Sequence, residues 1–438
     1  ELIRQCFVQF RCQLVEEKLI DQEAIFIDGT KIEANANRFT FVWKKSIEKY
    51  NKSLIEKSNQ LYNELLEKEI IPEMERENEG ELSVEELAQM VQQVDEVITE
   101  YDQKIEASPD ATERKALRSE RKYPKQAYKQ LIDFILRKQK YQKDLDILGE
   151  RNSYSKTDQD ATFMRMKDDY MKNGQLKAGY NVQIATEGQY ALAYSIFPNP
   201  TDTRTLIPFL NKIEKDYFPL PKYIVADAGY GSEQNYEDIL SNRKCEALIP
   251  YTMYEKEQKK KYKQNPFHPD NWMYDEESDT YICPNQQRVT FRYRSVRTDK
   301  TGFKRELKIY ECENCSGCPF RSSCTKAKEG NHRKVMVNEK WEQQKEYVRA
   351  KLSEEKAGSI FRQRKIDVEP VFGFLKANLR FTRFSVRGKS KVENEMGIAL
   401  MAVNLRKYTA NKDQLTKNNG EKWKKENLSW LKFSFFLF

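Results

Sequence analysis

The sequence is short of histidine and of long apolar runs. Only two histidines, His268 and His332, occur among 438 residues, which argues against a histidine-based catalytic mechanism. The apolar runs, such as Ala24–Ile27 and Phe433–Phe438, are far shorter than the roughly 20 residues that a membrane-spanning helix needs. No signal peptide is visible at the start of the chain. We therefore expect a cytoplasmic protein without a membrane partner.

The eight cysteines are clustered, which favours metal ligation in a reducing compartment over a disulfide framework. The densest group consists of Cys312, Cys315, Cys318 and Cys324, with Cys283 as an alternate. Because zinc binds four soft ligands in a tetrahedron, we predict a structural Zn²⁺ site at this group. Unliganded thiols and an iron–sulfur cluster are the alternatives, although the spacing departs from the ferredoxin pattern. The other three cysteines are isolated, and we interpret them as small core residues.

The charge is modestly basic overall and concentrated near the end of the chain. Lysine and arginine number 76 against 68 acidic residues, a net charge of +8, which permits a polyanionic partner without requiring one. Between Phe361 and Ala410, eleven basic residues face four acids. We expect the stretch from Arg380 to Lys391 to contact phosphates; a solvated helix end and loop is the alternative.

The length exceeds what one hydrophobic core usually spans, so we expect several domains or one domain with large insertions. Apolar residues make up 39% of the chain, which is enough to bury a core. Residues 44–150 are charge-rich with helical spacing of their apolar residues. This stretch is interpreted either as an arm that contacts DNA or a partner, or as an antiparallel hairpin that packs on itself. The predicted segments are 1–43 with the first strand, 44–150 helical, 151–255 mixed α/β, 256–340 rich in lysine and cysteine, 341–411 helical and basic, and a tail over 412–438.

Two aspartates follow apolar strands. Asp28 comes after Ala24–Ile27 and Asp227 after Tyr223–Ala226, each with a glycine within two residues. Both carboxylates should therefore stand at the carboxyl edge of a sheet, where α/β proteins place their sites. Between these strands the sequence predicts a β-hairpin over Gly179–Ala185 and Gln189–Phe197, and then a helix capped by Asp202 and Thr203.

A third acid, Glu369, lies on a predicted helix with Lys376 two turns further on, and Pro370 either opens or kinks this helix. Three carboxylates that meet in one pocket repel one another unless cations neutralise them. Oxygen ligands suit Mg²⁺ or Mn²⁺, and a pair of such ions can support phosphodiester cleavage. Spacing alone does not select these three acids from the 68 in the chain.

The sequence motifs around the three acids are more specific than the acids themselves. They are IDGTKIEANA at residues 27–36, VADAGYGS at 225–232 and RKIDVEPVFG at 364–373. In these stretches and in their order the chain resembles the DDE transposases of bacterial insertion sequences, whose catalytic domain is RNase H-like. The resemblance implies an α/β fold with a mixed sheet and helices on both faces, interrupted by a helical, coiled-coil-like insertion and a cysteine-rich β insertion.

The resemblance also implies a metal triad of Asp28, Asp227 and Glu369 that holds Mg²⁺ or Mn²⁺. Many relatives carry Y-x2-R-x3-E-x6-K around the glutamate, with basic members that bind phosphate. Lys376 matches this pattern, whereas Arg362 stands at the tyrosine position and Lys365 at the arginine position. Lysine lacks the two-pronged geometry of arginine, so Arg364 is the alternative for orienting phosphate. The predicted phosphate-binding residues are Arg364, Lys365, Lys376, Arg380, Arg383 and Arg387.

The implied reaction is metal-dependent phosphoryl transfer, in which water cuts at the end of the element and the freed 3′-hydroxyl attacks target DNA. The implied partners are double-stranded DNA, as terminal inverted repeats and target, and a second copy of the chain in a homodimeric synaptic complex. Two rival interpretations stay open: an inactive DNA-binding remnant, and a related nuclease that cuts without joining strands.

Other acids lie near the triad in sequence. Asp158 and Asp160 resemble a stretch that often precedes the second strand in this family, and we interpret them as turn-forming rather than as supports of the site. Glu33 and Asp367 flank the triad and should point away from it.

Overall fold

The computed structural model describes residues 1–76, 78, 80–166 and 174–419. The predicted tail over 412–438, including the run Phe433–Phe438, lies largely outside these residues. The chain divides into two compact units. The first unit comprises Glu1–Ile32, Asn181–Phe384 and the chain from Ser390 onward, and the second comprises Glu33–Tyr180 and Ser385–Lys389.

The chain contains both helices and strands, as expected for a mixed α/β protein. The helices are α1 (Leu2–Glu16), α2 (Lys44–Glu67), α3 (Val84–Ala107), α4 (Ala111–Glu120), α5 (Lys122–Leu148), α6 (Leu206–Asp216), α7 (Glu233–Glu237), α8 (Tyr254–Glu257), α9 (Lys260–Lys263), α10 (Arg321–Cys324), α11 (Glu339–Ser353), α12 (Glu355–Gly373) and α13 (Lys389–Asn419). Wider π-helical turns follow α7 at Asp238–Asn242 and α12 at Phe374–Asn378.

The strands are β1 (Ala24–Glu33), β2 (Phe41–Trp43), β3 (Ser153–Ser155), β4 (Thr162–Arg165), β5 (Leu176–Glu187), β6 (Tyr190–Phe197), β7 (Tyr223–Ala226), β8 (Glu246–Leu248), β9 (Met273–Asp275), β10 (Thr280–Ile282), β11 (Arg288–Thr298), β12 (Lys304–Cys312) and β13 (Lys334–Val337). The mixed α/β class predicted from the sequence is therefore confirmed.

The central sheet of the first unit has the order β6-β5-β1-β7-β8. β5 and β6 form an antiparallel hairpin, whereas β1, β7 and β8 run parallel to one another. Parallel strands covered on both faces become continuous apolar runs, and Ala24–Ile27 and Tyr223–Ala226 are buried throughout. The hairpin turns at Gly188 and Gln189, both with positive φ, which is the geometry that two-residue hairpin loops require.

Helix α13 covers the outer edge of this sheet. Asn404 is fully buried, and its side chain accepts a hydrogen bond from the Ala191 N–H and donates one to the Ala191 carbonyl, both at 2.8 Å. Gly397 allows the helix to come close, since a Cβ there would lie 2.2 Å from the Tyr194 hydroxyl. The backbone groups of Ala191 on edge strand β6 are thus satisfied by a side chain rather than by another strand.

A second sheet in the first unit is antiparallel, with the order β13-β12-β11-β10-β9. Its small core contains Trp272, Val289, Tyr310 and Val335 together with cysteine side chains. This sheet corresponds to the predicted cysteine-rich β region.

The second unit contains the charge-rich helices. Apolar residues at spacings of three and four along α2, α3 and α5, including Leu61, Leu87, Met90 and Leu131, form one buried cluster. Ser83 begins α3 with a capping box, in which its hydroxyl accepts from the Glu86 N–H while the Glu86 carboxylate accepts from the Ser83 N–H. The helices therefore pack on one another, in agreement with the self-packing interpretation.

Pro124 and Pro370 lie within helices. Pro124 lies in the first turn of α5, a position where a helix residue does not use its N–H for an intrahelical hydrogen bond. Pro370 lies inside α12 rather than at its start, and the helix widens into a π-helical turn shortly after it. Among the helices that the structure describes, none combines the length and apolar character needed to cross a lipid bilayer.

Candidate active site

Asp28 and Asp227 lie side by side on neighbouring parallel strands. The register pairs Ile27 with Ala226, so the two aspartates follow at the next position of each strand. β7 ends there as predicted, whereas β1 continues to Glu33, so Asp28 marks the end of pairing with β7 rather than the end of its own strand. Both residues are partly exposed to solvent.

A glycine N–H orients each carboxylate. Asp28 Oδ1 accepts from the Gly29 N–H at 2.7 Å, and Asp227 Oδ1 accepts from the Gly229 N–H at 2.8 Å. Gly29 has a second role, because a Cβ there would lie 2.2 Å from Gln183 Nε2 and 2.7 Å from Asp202 Oδ1. The glycine after the first aspartate therefore gives room for a third acid.

This third acid is Asp202, whose position before an amphipathic helix predicts a helix cap. That prediction was wrong, because α6 begins at Leu206 with Thr205 as its N-cap residue. The Asp202 carboxylate instead accepts from Asn181 Nδ2 at 2.8 Å and from Gln183 Nε2 at 3.0 Å. These amides lie on β5 and hold the carboxylate within the central sheet's hydrogen-bonding network.

Tyr230 lies close enough to the three aspartates for their charges to act on its hydroxyl group. Its ring is completely buried, and its hydroxyl donates to Gln183 Oε1. Burial raises the pKa of Tyr230 well above its usual value, and the negative charges of Asp202, Asp28 and Asp227 raise it further. The phenol therefore stays protonated and fixes the Gln183 side chain, whose amide group binds Asp202.

Glu369 lies on α12 with an exposed side chain. The buried face of this helix includes Ile360, Val368 and Val371, whereas Glu369 is turned about 140° from Arg364 around the helix axis. In the described part of the chain, no three acidic, cysteine or histidine side chains are grouped closely enough to share a metal ion. Asp202 lies near Asp28 and Asp227, whereas Glu369 is exposed on α12, and its place in the triad stays a prediction.

Arg364 is the residue of α12 that reaches the aspartates. Its guanidinium Nη1 lies 3.6 Å from Asp28 Oδ2, and both side chains are about seven-eighths buried. A buried guanidinium stabilises an adjacent carboxylate and offsets the repulsion between neighbouring acids. The predicted phosphate-orienting arginine therefore lies beside the first aspartate.

The other predicted phosphate-binding residues lie on α12 and after it. Lys365, Arg380, Arg383 and Arg387 are exposed, and Lys376 is half-buried in the π-helical turn. Arg387 belongs to the second unit, where its Nε donates to the Asn35 carbonyl at 2.9 Å. Phosphate binding by this set stays a prediction.

Asp158 and Asp160 lie at a turn, as predicted, and their side chains also have partners outside it. The buried Asp158 carboxylate accepts from the Tyr180 hydroxyl at 2.9 Å and from the Gly388 N–H at 3.2 Å. Asp160 accepts from the Lys389 N–H at 2.7 Å. Both side chains thus bind the basic segment over Ser385–Lys389 within the second unit, in addition to the backbone turn that Asp158 makes with Ala161.

Of the two flanking acids, Glu33 forms an ion pair with Lys177 at 3.0 Å. Asp367 is buried and accepts from the Gln189 N–H at 3.2 Å. Both carboxylates thus have partners of their own.

The five clustered cysteines line one cavity together with Trp272 and Arg333. Cys283, Cys312 and Cys315 are buried, and Cys318 and Cys324 are half-buried. Burial raises the pKa of Cys312 to about 12, so this thiol is protonated in the absence of a bound cation. All five are free thiols, and sharing one ion would require the sulfur atoms to draw closer.

Zinc at this cluster stays a prediction, with a direct test. We expect about one zinc per chain in protein purified under reducing conditions, measured by plasma mass spectrometry. Cys315→Ser should lower the zinc content severalfold and lower the unfolding temperature, whereas Cys245→Ser, at an isolated half-buried cysteine, should leave the zinc content unchanged. Folded protein without zinc would favour unliganded thiols, and stoichiometric iron with visible absorbance would favour an iron–sulfur cluster.

Comparison with known proteins relates part of the chain to transposases. Residues 282–409 match the family model described as "Transposase DDE domain". This stretch is less than a third of the chain; it includes Glu369 and the cysteine cluster and excludes Asp28 and Asp227. The relationship to DDE-type transposases that the motifs indicated is thereby confirmed, and the matched family consists of DNA-cleaving phosphoryl-transfer enzymes.

A curated protein is similar over a shorter stretch. The type II restriction enzyme CeqI of Rhodococcus hoagii is 41% identical over 91 residues, which is 20% of this chain and 30% of the enzyme's own length. The chain thus covers less than a third of this relative. No solved structure matches the chain significantly.

Proposed function

We propose that the chain is a DDE transposase that cuts DNA at the ends of an insertion sequence and joins the freed ends to target DNA. The observation that carries this proposal is the placement of Asp28 and Asp227 at the same level of two parallel strands, in a chain that matches the transposase DDE domain around Glu369. The strand order β6-β5-β1-β7-β8, with a hairpin on one side of the first strand and parallel strands on the other, supports an RNase H-like core.

The donor set fits a hard divalent cation. Asp28, Asp227 and Glu369 would hold Mg²⁺ or Mn²⁺, since carboxylate oxygens are the ligands these ions prefer. When bound, such ions activate the attacking oxygen and stabilise the leaving oxygen of a phosphodiester. Because no three acidic, cysteine or histidine side chains of the described residues are grouped closely enough to share an ion, joint binding by this triad requires side-chain movement when metal and DNA bind.

The residues of the chain have separate tasks in this reaction. Gly29 and Gly229 orient the two aspartates, and Arg364 balances the charge of Asp28. Tyr230 keeps its proton and holds Gln183, which with Asn181 positions Asp202. The exposed cations after α12 are suited to DNA phosphates, and attack by water or by a 3′-hydroxyl requires no covalent enzyme intermediate.

The proposed partners are double-stranded DNA, as terminal inverted repeats and target, and a second copy of the chain in the synaptic complex. The location would be the bacterial cytoplasm, on the nucleoid when bound to DNA. A second candidate function is DNA cleavage without joining, which is favoured by the match to a restriction enzyme. An inactive DNA-binding remnant is the third possibility.

One assay separates these functions. Purified protein is incubated with Mg²⁺ and labelled duplexes that carry the inverted repeats found beside the coding region, together with a target plasmid. Cleaved and joined products are expected, and chelation of the metal should remove both. Cleavage without joined products would support the nuclease, and binding without cleavage would support the remnant.

A further inference from the structure

Strands β11 and β12 extend beyond the rest of the second sheet. β10 pairs with β11 only at Arg288–Thr290, and β13 pairs with β12 only at residues 308–311. The β11–β12 pairing continues past these neighbours to Thr298 and Lys304. The portion from Phe291 to Leu307, here named the ribbon, is therefore largely a two-stranded arm that ends in a turn.

The ribbon is exposed on both faces of its first strand. Every residue from Phe291 to Thr298 is exposed except Ser295, which is half-buried. Successive residues of a strand point to opposite faces, so side chains on both faces of β11 reach solvent, whereas Phe303, just before β12, and Arg305 and Leu307 on β12 are half-buried. Tyr293 is 50% and Val296 is 60% exposed. A two-stranded ribbon is marginally stable in water, so a partner that covers it would add to its stability.

Positive charge dominates the ribbon. Its 17 residues contain six arginines and lysines and two acids. Asp299 accepts from the Thr301 and Phe303 N–H groups and stabilises the turn. Arg305 pairs with Asp299 and Glu233, and Arg294 pairs with Glu339. In the part of the chain that the structure describes, no ion pair involves the remaining four cations, which are Arg292, Arg297, Lys300 and Lys304.

These features match duplex DNA in shape and charge. The major groove is about 12 Å wide and admits a two-stranded β-ribbon. At roughly 3.3 Å per residue, the eight residues of Phe291–Thr298 span about 26 Å, enough to reach along the groove and past its phosphate edges. A bulge between Phe291 and Tyr293 increases the local twist and changes the direction of Arg292.

We propose that the ribbon is a DNA-binding arm that enters the major groove, with Arg292, Arg297, Lys300 and Lys304 on the phosphates. This inference rests on the proposed function for its choice of partner, and it adds a binding surface apart from the aspartates and from the segment Arg380–Lys391. The exposed Tyr293 side chain is the ribbon's candidate for contact with base edges.

The test measures DNA affinity in the Asp227→Asn variant, which keeps DNA intact. The ribbon variant replaces Arg292, Arg297, Lys300 and Lys304 by glutamine. Its dissociation constant for a 30-base-pair duplex, measured by fluorescence anisotropy, should rise at least about tenfold. The slope of the logarithm of the binding constant against the logarithm of the salt concentration should become less negative by about 3 to 4. The matched control replaces Lys49, Lys57, Lys129 and Lys140, four exposed lysines of the helical unit, and should change the affinity by less than about twofold.

The outcomes separate this inference from the proposed function. If the parent binds duplex DNA and the ribbon variant binds equally well, the ribbon is not the arm and the transposase proposal stands. A parent that fails to bind any duplex overturns both. Competition by polyglutamate as strong as by DNA would indicate an acidic protein partner instead. Circular dichroism checks folding, and the milder Lys300→Gln, Lys304→Gln pair should give a smaller shift in the same direction.

Discussion

Asp227→Asn is expected to lower DNA cleavage by about 10³-fold or more while leaving DNA binding within about twofold of the wild type. Asparagine has the same shape, and its Oδ1 can still accept the Gly229 N–H, so the turn after β7 should persist. The substitution removes a negative charge and a hard oxygen donor at the position paired with Asp28. The measurement is single-turnover cleavage of a labelled duplex with Mg²⁺.

The matched control for this variant is Glu237→Gln. Glu237 lies on α7, ten residues after Asp227. Its carboxylate forms an ion pair with Lys340 Nζ at 2.6 Å. We expect it to retain full cleavage. If Asp227→Asn cleaved as fast as Glu237→Gln, the two adjacent aspartates would not be the reaction centre, and the resemblance in the first two motifs would have no functional meaning.

Glu369→Gln is expected to lower cleavage by about 10³-fold, and Asp202→Asn by only about tenfold. The first value follows if Glu369 joins the aspartates when DNA is bound, as a third oxygen donor. The second follows from the role of Asp202 as a positioning residue, because its Oδ1 is already engaged by the amides of Asn181 and Gln183.

The same cleavage assay, with both variants compared at saturating DNA, decides between the two acids. A larger loss from Asp202→Asn than from Glu369→Gln would make Asp202 the third acid of the site and would contradict the role that the resemblance gives to Glu369. Glu355→Gln, at the first turn of the same helix, serves as the control and should cleave normally.

The strands that carry the first two acids could be predicted because their physics is local. Ala24–Ile27 and Tyr223–Ala226 are apolar runs, and such runs are typical of buried parallel strands. The hairpin of β5 and β6 was also predicted, although the turn lies at Gly188 and Gln189 rather than from Thr186 onward. What no local pattern contains is the parallel register that puts Asp28 beside Asp227.

Asp202 was misassigned because an acid before an amphipathic helix looks like a cap. Its true partners, Asn181 and Gln183, lie about 20 residues earlier on another strand, and only the folded sheet brings them together. The signal that could have found it was Gly29, whose missing side chain leaves the space that the Asp202 carboxylate approaches. Asp158 forms the predicted turn, but its side-chain partners Tyr180 and Gly388 are distant in sequence and no local pattern indicates them.

The first strand of the ribbon lacks the alternation of apolar and polar residues that identifies a strand with one buried face. Residues 291–298 mix three arginines with Phe, Tyr, Ser, Val and Thr, and a strand without an apolar face resembles a polar loop. In the described structure this segment is a strand. The first residues of β11 pair with β10, and Val289 packs in the small core around Trp272. Residues 291–298 are therefore exposed because they extend beyond β10, and their amino-acid composition alone does not indicate this.

The Asn404 side chain has a consequence for how copies of this chain can associate. Open sheets commonly recruit a neighbour by adding its strand to an unpaired edge, but at Ala191 both peptide groups on that edge are already taken by an amide from α13. Continuous sheet formation through β6 is thereby blocked at this point. A dimer that forms across this part of β6 must instead join through side-chain surfaces, where charge and shape can be adjusted residue by residue.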